Sequence, residues 1–262
     1  IFRAIGIDYL NAKQIDENTI LLRPDEIARL KENAPYLIAM KVRDLREVPV
    51  EESIMSDSGV VQIPAPNQEP IIGVIDTPFS KDVYFKDWVT YESMLDENIK
   101  LDQGDYIHGT EVTSIIVDGP TINPALDDGC GRFRVKHFGV AKRGRFSSYS
   151  ILRSIRKAVS QNRDIKVWNL SLGSILPIKP NFISPEAAEL DRIQSEFDVV
   201  FVIAGTNEKK KKKRMAIGAP ADSLNSLVVN SVTLEGMAAS YHRVGPVLSF
   251  FLLRGFRAKW RI

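Results

Sequence analysis

Short runs of β-branched and aliphatic residues alternate along this chain with stretches whose apolar positions recur every three or four residues, and the alternation begins at Ile71. Residues 71–76 form an apolar run that ends in a lone carboxylate, Asp76. That is the pattern of a buried parallel strand delivering an acid to the carboxyl edge of a sheet, where open α/β folds keep their ligand sites. Residues 77–107 read as a long polar loop, and a small-residue helix is expected to start near His108. Residues 132–138 alternate with period two, as a strand with one wetter face does. Ser147 and Ser148 can cap a helix that carries Ile151, Ile155, Ala158 and Val159 on one face and Arg153, Arg156 and Lys157 on the other. Residues 165–170 predict a strand and residues 185–197 a helix. Residues 198–204 predict a nearly all-apolar strand, central and buried on both faces, and residues 226–232 one more strand. Strands alternating with helices predict crossover units, hence an α/β fold with a parallel β-sheet flanked by helices on both faces.

The chain ahead of Ile71 is organised differently. Residues 1–50 read as a small α+β segment: a strand at 19–22, a helix opened by Pro24-Asp25-Glu26 with Ile27, Leu30 and Ala34 on one face, and a strand at 36–42. Residues 51–70 lose the pattern to acids, Ser, Gly, Asn and the prolines Pro64, Pro66 and Pro70, and read as a linker to the domain at 71–262.

Composition narrows the function classes. A chain of 262 residues with 44% hydrophobic content holds a sizeable core. Its 35 basic and 33 acidic residues leave a net charge of +2, so no global field points to nucleic acid or an acidic membrane. The run at 209–214 is basic but has no interleaved aromatics, and reads as a solvated loop. The longest apolar runs, 199–204 and 247–253, fall far short of the ~20 residues that span a bilayer. A lone Cys130 excludes an internal disulfide and, with no signal-peptide pattern, points to a reducing, cytoplasmic setting; residue 1 is Ile, which leaves open a segment before it. His108, His137 and His242 lack the carboxylate spacing of a zinc site, and no cofactor is expected.

The residues able to carry chemistry collect at the carboxyl ends of the predicted strands: Asp76, Ser171-Leu172-Gly173 and Gly205-Thr206-Asn207, with His108 opening the helix after the first strand. An acid such as Asp76 can orient the His108 imidazole so that it takes a proton from a hydroxyl nucleophile. Asn207 can donate an amide hydrogen bond to a developing oxyanion. Residues 171–173 leave a strand with glycine at the end, which lets an extended substrate backbone pair alongside. Ser171 itself lacks the preceding glycine of a nucleophile elbow and reads as substrate-strand backbone. Asp102 and Asp105 compete with Asp76 for His108, but from a loop without strand support. A nucleotide-binding domain would need a glycine-rich loop after the first strand, and Asp76-Thr77-Pro78-Phe79-Ser80 has none.

These segments resemble the subtilisin-like serine peptidases. Gly73-Val74-Ile75-Asp76-Thr77 is similar to that family's aspartate motif, His108-Gly109-Thr110-Glu111-Val112 to its histidine motif and Asn169-Leu170-Ser171-Leu172-Gly173 to its substrate strand. Val202-Ile203-Ala204-Gly205-Thr206-Asn207 resembles its oxyanion segment, and Ala239-Ser240-Tyr241 through Gly245-Pro246 the loop before its serine motif. The order Asp then His matches this family. The resemblance implies peptide-bond hydrolysis of a polypeptide substrate, with Asp76 and His108 catalytic, Asn207 at the oxyanion, and Ser171, Leu172, Gly173, Ala204 and Gly205 lining the cleft. It implies a pro-region for residues 1–50, and calcium as the family's common metal, although no calcium loop is recognisable. The chain departs from the pattern at Pro78 after the acid, at Thr206 between Gly205 and Asn207, and in having no Gly-Thr-Ser-small-Ala segment. Residues 251–262 are basic and aromatic, unlike the continuation of such a domain. The expectation is an inactive fragment, truncated or frame-shifted before its serine; the alternative is a pseudo-peptidase acting as a peptide-binding or regulatory module.

Overall fold

The computed structural model describes residues 5–8, 14–16, 19–20, 22–33, 62–124, 127, 129–143, 148–174, 176–179, 182–205, 216–232, 237–239 and 241–245. In the amino-terminal segment, β1 (Gln14–Asp16) pairs antiparallel with β2 (Thr19–Ile20), and α1 (Pro24–Asn33) follows. The predicted helix is there, with Pro24 and two acids in its first turn and Leu30 packed on Ile7. The strand expected at 36–42 lies outside the described residues, as do linker residues 51–61. The rest of that linker is anchored: Ile63 packs beside Trp88, whose indole Nε1–H donates to Pro64 O at 2.8 Å, and the Arg134 side chain donates to Glu69 O.

Six parallel strands form the main sheet in the order β4-β5-β3-β6-β7-β8. They are β3 (Ile71–Asp76), β4 (Val89–Ser93), β5 (Arg134–Gly139), β6 (Val167–Leu170), β7 (Val200–Ala204) and β8 (Leu227–Val229). β3 lies in the interior, with Asp76 opposite Gly139 of β5 and Ile75 opposite both Phe138 and Leu170. Because side chains alternate across a strand, Val74 and Ile75 enter different cores. Val74 packs with Phe79, Phe85, Val117 and Val135 under α2 (Ile107–Ile122). Ile75 packs with Phe138, Ile155, Leu190 and Phe201 against α3 (Ser148–Gln161) and α4 (Pro185–Phe197). Helices thus cover both faces, and each such buried side chain contributes roughly 1.5–3 kcal/mol relative to exposure. α4 opens as its sequence directs, with Pro185 in the first turn and Ser184 Oγ accepting from the Ala187 amide at 3.1 Å. It closes on Asp198, which holds a left-handed φ of 52°.

Two sequence expectations change. The stretch 77–107 is more than a loop: it holds the edge strand β4 and two 3-10 turns, Lys86–Trp88 and Gln103–Tyr106. β4 has no fully buried position, so it lacks the apolar run that marked the others. Residues 198–204 give β7 as predicted, interior to the sheet but only one place from the edge; Phe201 and Ile203 are buried while Val200, Val202 and Ala204 are half-buried.

Gly73 sits where a Cβ would overlap the Trp168 ring, at the centre of the sheet. Gly73→Ala is expected to lower stability by about 1–3 kcal/mol through overpacking. Urea unfolding followed by tryptophan fluorescence would read this as a lower midpoint at unchanged slope; an unchanged midpoint would count against such tight packing.

Candidate active site

The site is built where β3 meets the start of α2. Asp76, the last residue of β3, is 0% exposed, and Val140 N–H donates to its backbone carbonyl at 2.9 Å. Its side chain shares the sheet face of Val74, the face covered by α2. His108 stands in the first turn of α2, and its Nδ1 lies 2.6 Å from Asp76 Oδ1. A carboxylate oxygen only accepts, so the proton of this contact sits on Nδ1 and the Nε2 lone pair is left available as a base. The same Oδ1 accepts the Thr77 amide at 2.6 Å, and Asp76 Oδ2 is buried without a hydrogen-bond partner among the described residues. The imidazole differs from its acid in one decisive respect: its side chain is 26% exposed and reaches solvent.

Three threonines fasten the turn after Asp76 to α2. Gly109 N–H donates to Thr77 Oγ1 at 2.9 Å, and Ser80 N–H donates to Thr110 Oγ1 at 2.9 Å. Thr110 Oγ1–H in turn donates to Tyr106 O, and Thr113 Oγ1 meets His137 Nδ1 at 2.8 Å. Residue 109 must be glycine for this approach, because a Cβ there would overlap the Thr77 carbonyl. Asp102 and Asp105 do not reach His108. They form a capping box, with Asp105 accepting from the Asp102 and Arg143 amides.

The two histidines near the acid are driven in opposite directions. Burial pushes His108 down, but the charge of Asp76, their hydrogen bond and the nearby Glu111 outweigh it and leave the imidazole above its ordinary 6.5. Burial dominates at His137 and depresses it, with Asp76 and the Thr77 carbonyl pulling the other way. His108 therefore contributes stability that is full below about 6.5 and is lost as pH rises through its raised value. His137 contributes stability that is present above about 6.5 and is lost as pH falls through its depressed value.

The predicted cleft residues fall on the same carboxyl edge. Ser171 and Gly173 follow β6 half-buried, and Ser171 Oγ–H donates to Asn169 Oδ1 at 3.0 Å. The Leu172 side chain instead enters the large core, so only its backbone faces outward. Ala204 ends β7, and Gly205 donates its N–H to Val229 O at 2.8 Å, with the Asn230 side chain filling the space a Cβ would need. Beyond Gly173, the Ser174 amide donates to Ala219 O at 2.7 Å, and Pro177 bridges antiparallel to Gly218. Asn207, like the basic run 209–214, lies outside the described residues. Sequence reasoning missed Thr77, Thr110 and Thr113, and treated His137 only as a zinc ligand to be dismissed. The available signal for His137 was the period-two pattern, which set it on the dry face with Val135. Among the described residues, no group of three or more His, Cys, Asp or Glu side chains gathers as a metal site, and no helix is long and apolar enough to cross a membrane.

A buried acid against a partly exposed imidazole at the carboxyl edge of a parallel sheet is an arrangement able to relay a proton. A model of the subtilase family matches residues 67–262, and the chain belongs to that family. Among solved structures, it is 16% identical to MycP1 from Mycobacterium smegmatis, covering 84% of this chain and 67% of that one at a TM-score of 0.52. It is 17% identical to the patellamide maturation protease PatA, with 72% and 65% covered and a TM-score of 0.50. The prenylagaramide maturation protease PagA is 17% identical, with 69% and 60% covered, again at 0.50. These likenesses show the fold; the chain spans 60% of PagA and 65% of PatA. No curated protein sequence matches.

Asp76→Asn removes the charge that raises His108, so its pKa is expected to fall below the wild-type value. The stability lost on raising the pH through that value should vanish with it. Titration of the His108 ring resonances by NMR, beside thermal unfolding from pH 5 to 8, checks both; an unchanged titration would mean that Asp76 does not govern the imidazole.

Proposed function

We propose that the protein is a serine-type endopeptidase of the subtilisin-like class, hydrolysing peptide bonds with Asp76 and His108 as the acid–base half of an Asp/His/Ser mechanism. The observation that carries this is the 2.6 Å contact from the buried Asp76 to the solvent-reaching His108, within a chain of the subtilase family. In the scheme, the serine hydroxyl oxygen attacks the substrate carbonyl carbon as its proton passes to His108 Nε2. Asp76 stabilises the resulting imidazolium. Asn207 donates to the oxyanion, and His108 then returns the proton to the departing amine, leaving an acyl-enzyme that water cleaves. Polypeptide is the substrate, held in extended form against the backbone of 171–173 and 204–205.

None of these 262 residues forms the Gly-Thr-Ser-small-Ala motif, so the nucleophile is assigned to sequence beyond them and this chain alone is inactive. The same observation favours a second reading, a pseudo-peptidase that keeps the cleft as a peptide-binding or regulatory module. Fluorophosphonate labelling separates them. This chain should stay unlabelled, whereas the product of the parent gene read through its downstream sequence should label at one serine and lose labelling by about 100-fold or more in His108→Ala. Labelling of this chain would refute the assignment of the nucleophile. A read-through product that binds peptides but never labels would establish the pseudo-peptidase.

A further inference from the structure

We propose that His137 is a positioning residue of the Asp76–His108 pair: a second, buried imidazole that holds the peptide following Thr77 and so keeps the Thr77 amide and the Asp76 carboxylate aimed at their partners. The inference rests on the reading of Asp76 and His108 as the working pair, but stands on its own geometry. β5 brings His137 opposite Val74 on the α2 face of the sheet, where it is fully buried, and its Nε2 lies 2.7 Å from Thr77 O. A carbonyl only accepts, so this nitrogen carries the proton. Nδ1 is then a lone pair and accepts from Thr113 Oγ1–H at 2.8 Å. The two contacts fix one neutral tautomer and satisfy both ring nitrogens, as burial demands.

Thr77 is the junction through which His137 acts. Its N–H donates to Asp76 Oδ1, its Oγ1 accepts the Gly109 amide at the start of α2, and its carbonyl accepts from His137. The next residue is Pro78, which has no N–H, so the Thr77–Pro78 peptide can be held by hydrogen bonding only through that carbonyl. His137 supplies the bond. Phe79 and Tyr91 flank its ring at centroid distances of 5.6 and 5.7 Å, and a Cβ at Gly109 would come within 2.9 Å of its Cε1, so the ring is wedged as well as bonded. The titratable groups around it are Asp76 from β3, His108 from α2 and Tyr91 from β4. An apolar side chain of similar size would fill the space yet leave the carbonyl of Thr77 and the hydroxyl of Thr113 unpartnered.

Nitrogen-15 NMR of this chain tests the assignment without requiring peptidase activity. His137 should appear as the neutral, Nε2-protonated tautomer. His137→Leu should lower the His108 pKa by about half a unit or more, whereas His137→Gln, whose amide can donate to Thr77 O, should keep it near wild type. A His108 titration unchanged in His137→Leu would overturn the proposal, as would an equal fall in both variants. Should His137→Leu fail to fold, Thr113→Val keeps the ring and removes only the hydroxyl that selects its tautomer. Tautomer mixing with a downward shift at His108 is then expected, and no change in either overturns the idea. In a labelling-competent parent, His137→Leu should lower kcat about tenfold at unchanged KM, the mark of lost alignment rather than lost substrate binding. A parent that never labels sinks the peptidase reading and leaves the titration result standing.

Discussion

One oxygen atom, Asp76 Oδ1, receives both the Thr77 amide and the His108 imidazole, and the site depends on keeping it dry. Burying a carboxylate costs several kcal/mol unless partners replace its water, and here the second oxygen has no hydrogen-bond partner among the described residues. The fold carries that cost by placing the acid at the end of an interior strand, under α2 and beside β5, where water cannot reach it. With the negative charge concentrated on a single pair of donors, the imidazole gains a strong, directional partner. The surrounding threonines and His137 then read as parts of one device. Thr77, Thr110 and His137 each secure a backbone group of the 77–80 turn or the α2 start, and Thr113 secures the His137 ring.

The parallel sheet determines where the rest of the site must be. Every strand ends on the same edge, so Asp76, Leu170 and Ala204 arrive side by side without any loop having to reach for them. The segments leaving β6 and β7 are tied down by neighbours and not by their own regular structure: Ser174 to Ala219, Ile178 to Ile217, Gly205 to Val229. Glycine serves at 205 and 218 because a side chain at either would collide, with Asn230 in one case and with the Ser174 carbonyl in the other. The result is an edge where neighbouring segments approach closely through their backbones.

Much of this was legible in the sequence, for reasons that can be named. β3 was readable because six residues pass from apolar to acidic with no ambiguity of period, and α4 because proline and serine mark its start. β4 was not, since an edge strand with one half-buried side carries little hydrophobic signal among polar neighbours. The meaning of His137 was hidden for a different reason. Its face follows from alternation, but its partner follows from register between β3 and β5, and register is a property of two strands that neither one states alone. Leu172 shows the converse limit: its motif places it just beyond β6, while its side chain turns into the core.

The order of the strands has a kinetic consequence. β3 is synthesised ahead of every strand it touches in the main sheet, and its partners β5 and β6 arrive only at Arg134 and Val167. High contact order of this kind makes folding slow, because long loops must close before pairing repays the lost entropy. Asp76 and His108 are separated by only 32 positions, yet β5 and β6, the strands that flank the one carrying Asp76, come later in the chain. A nascent chain would hold both residues long before it held their geometry, and the contact between them would be among the last features to form as the protein is made.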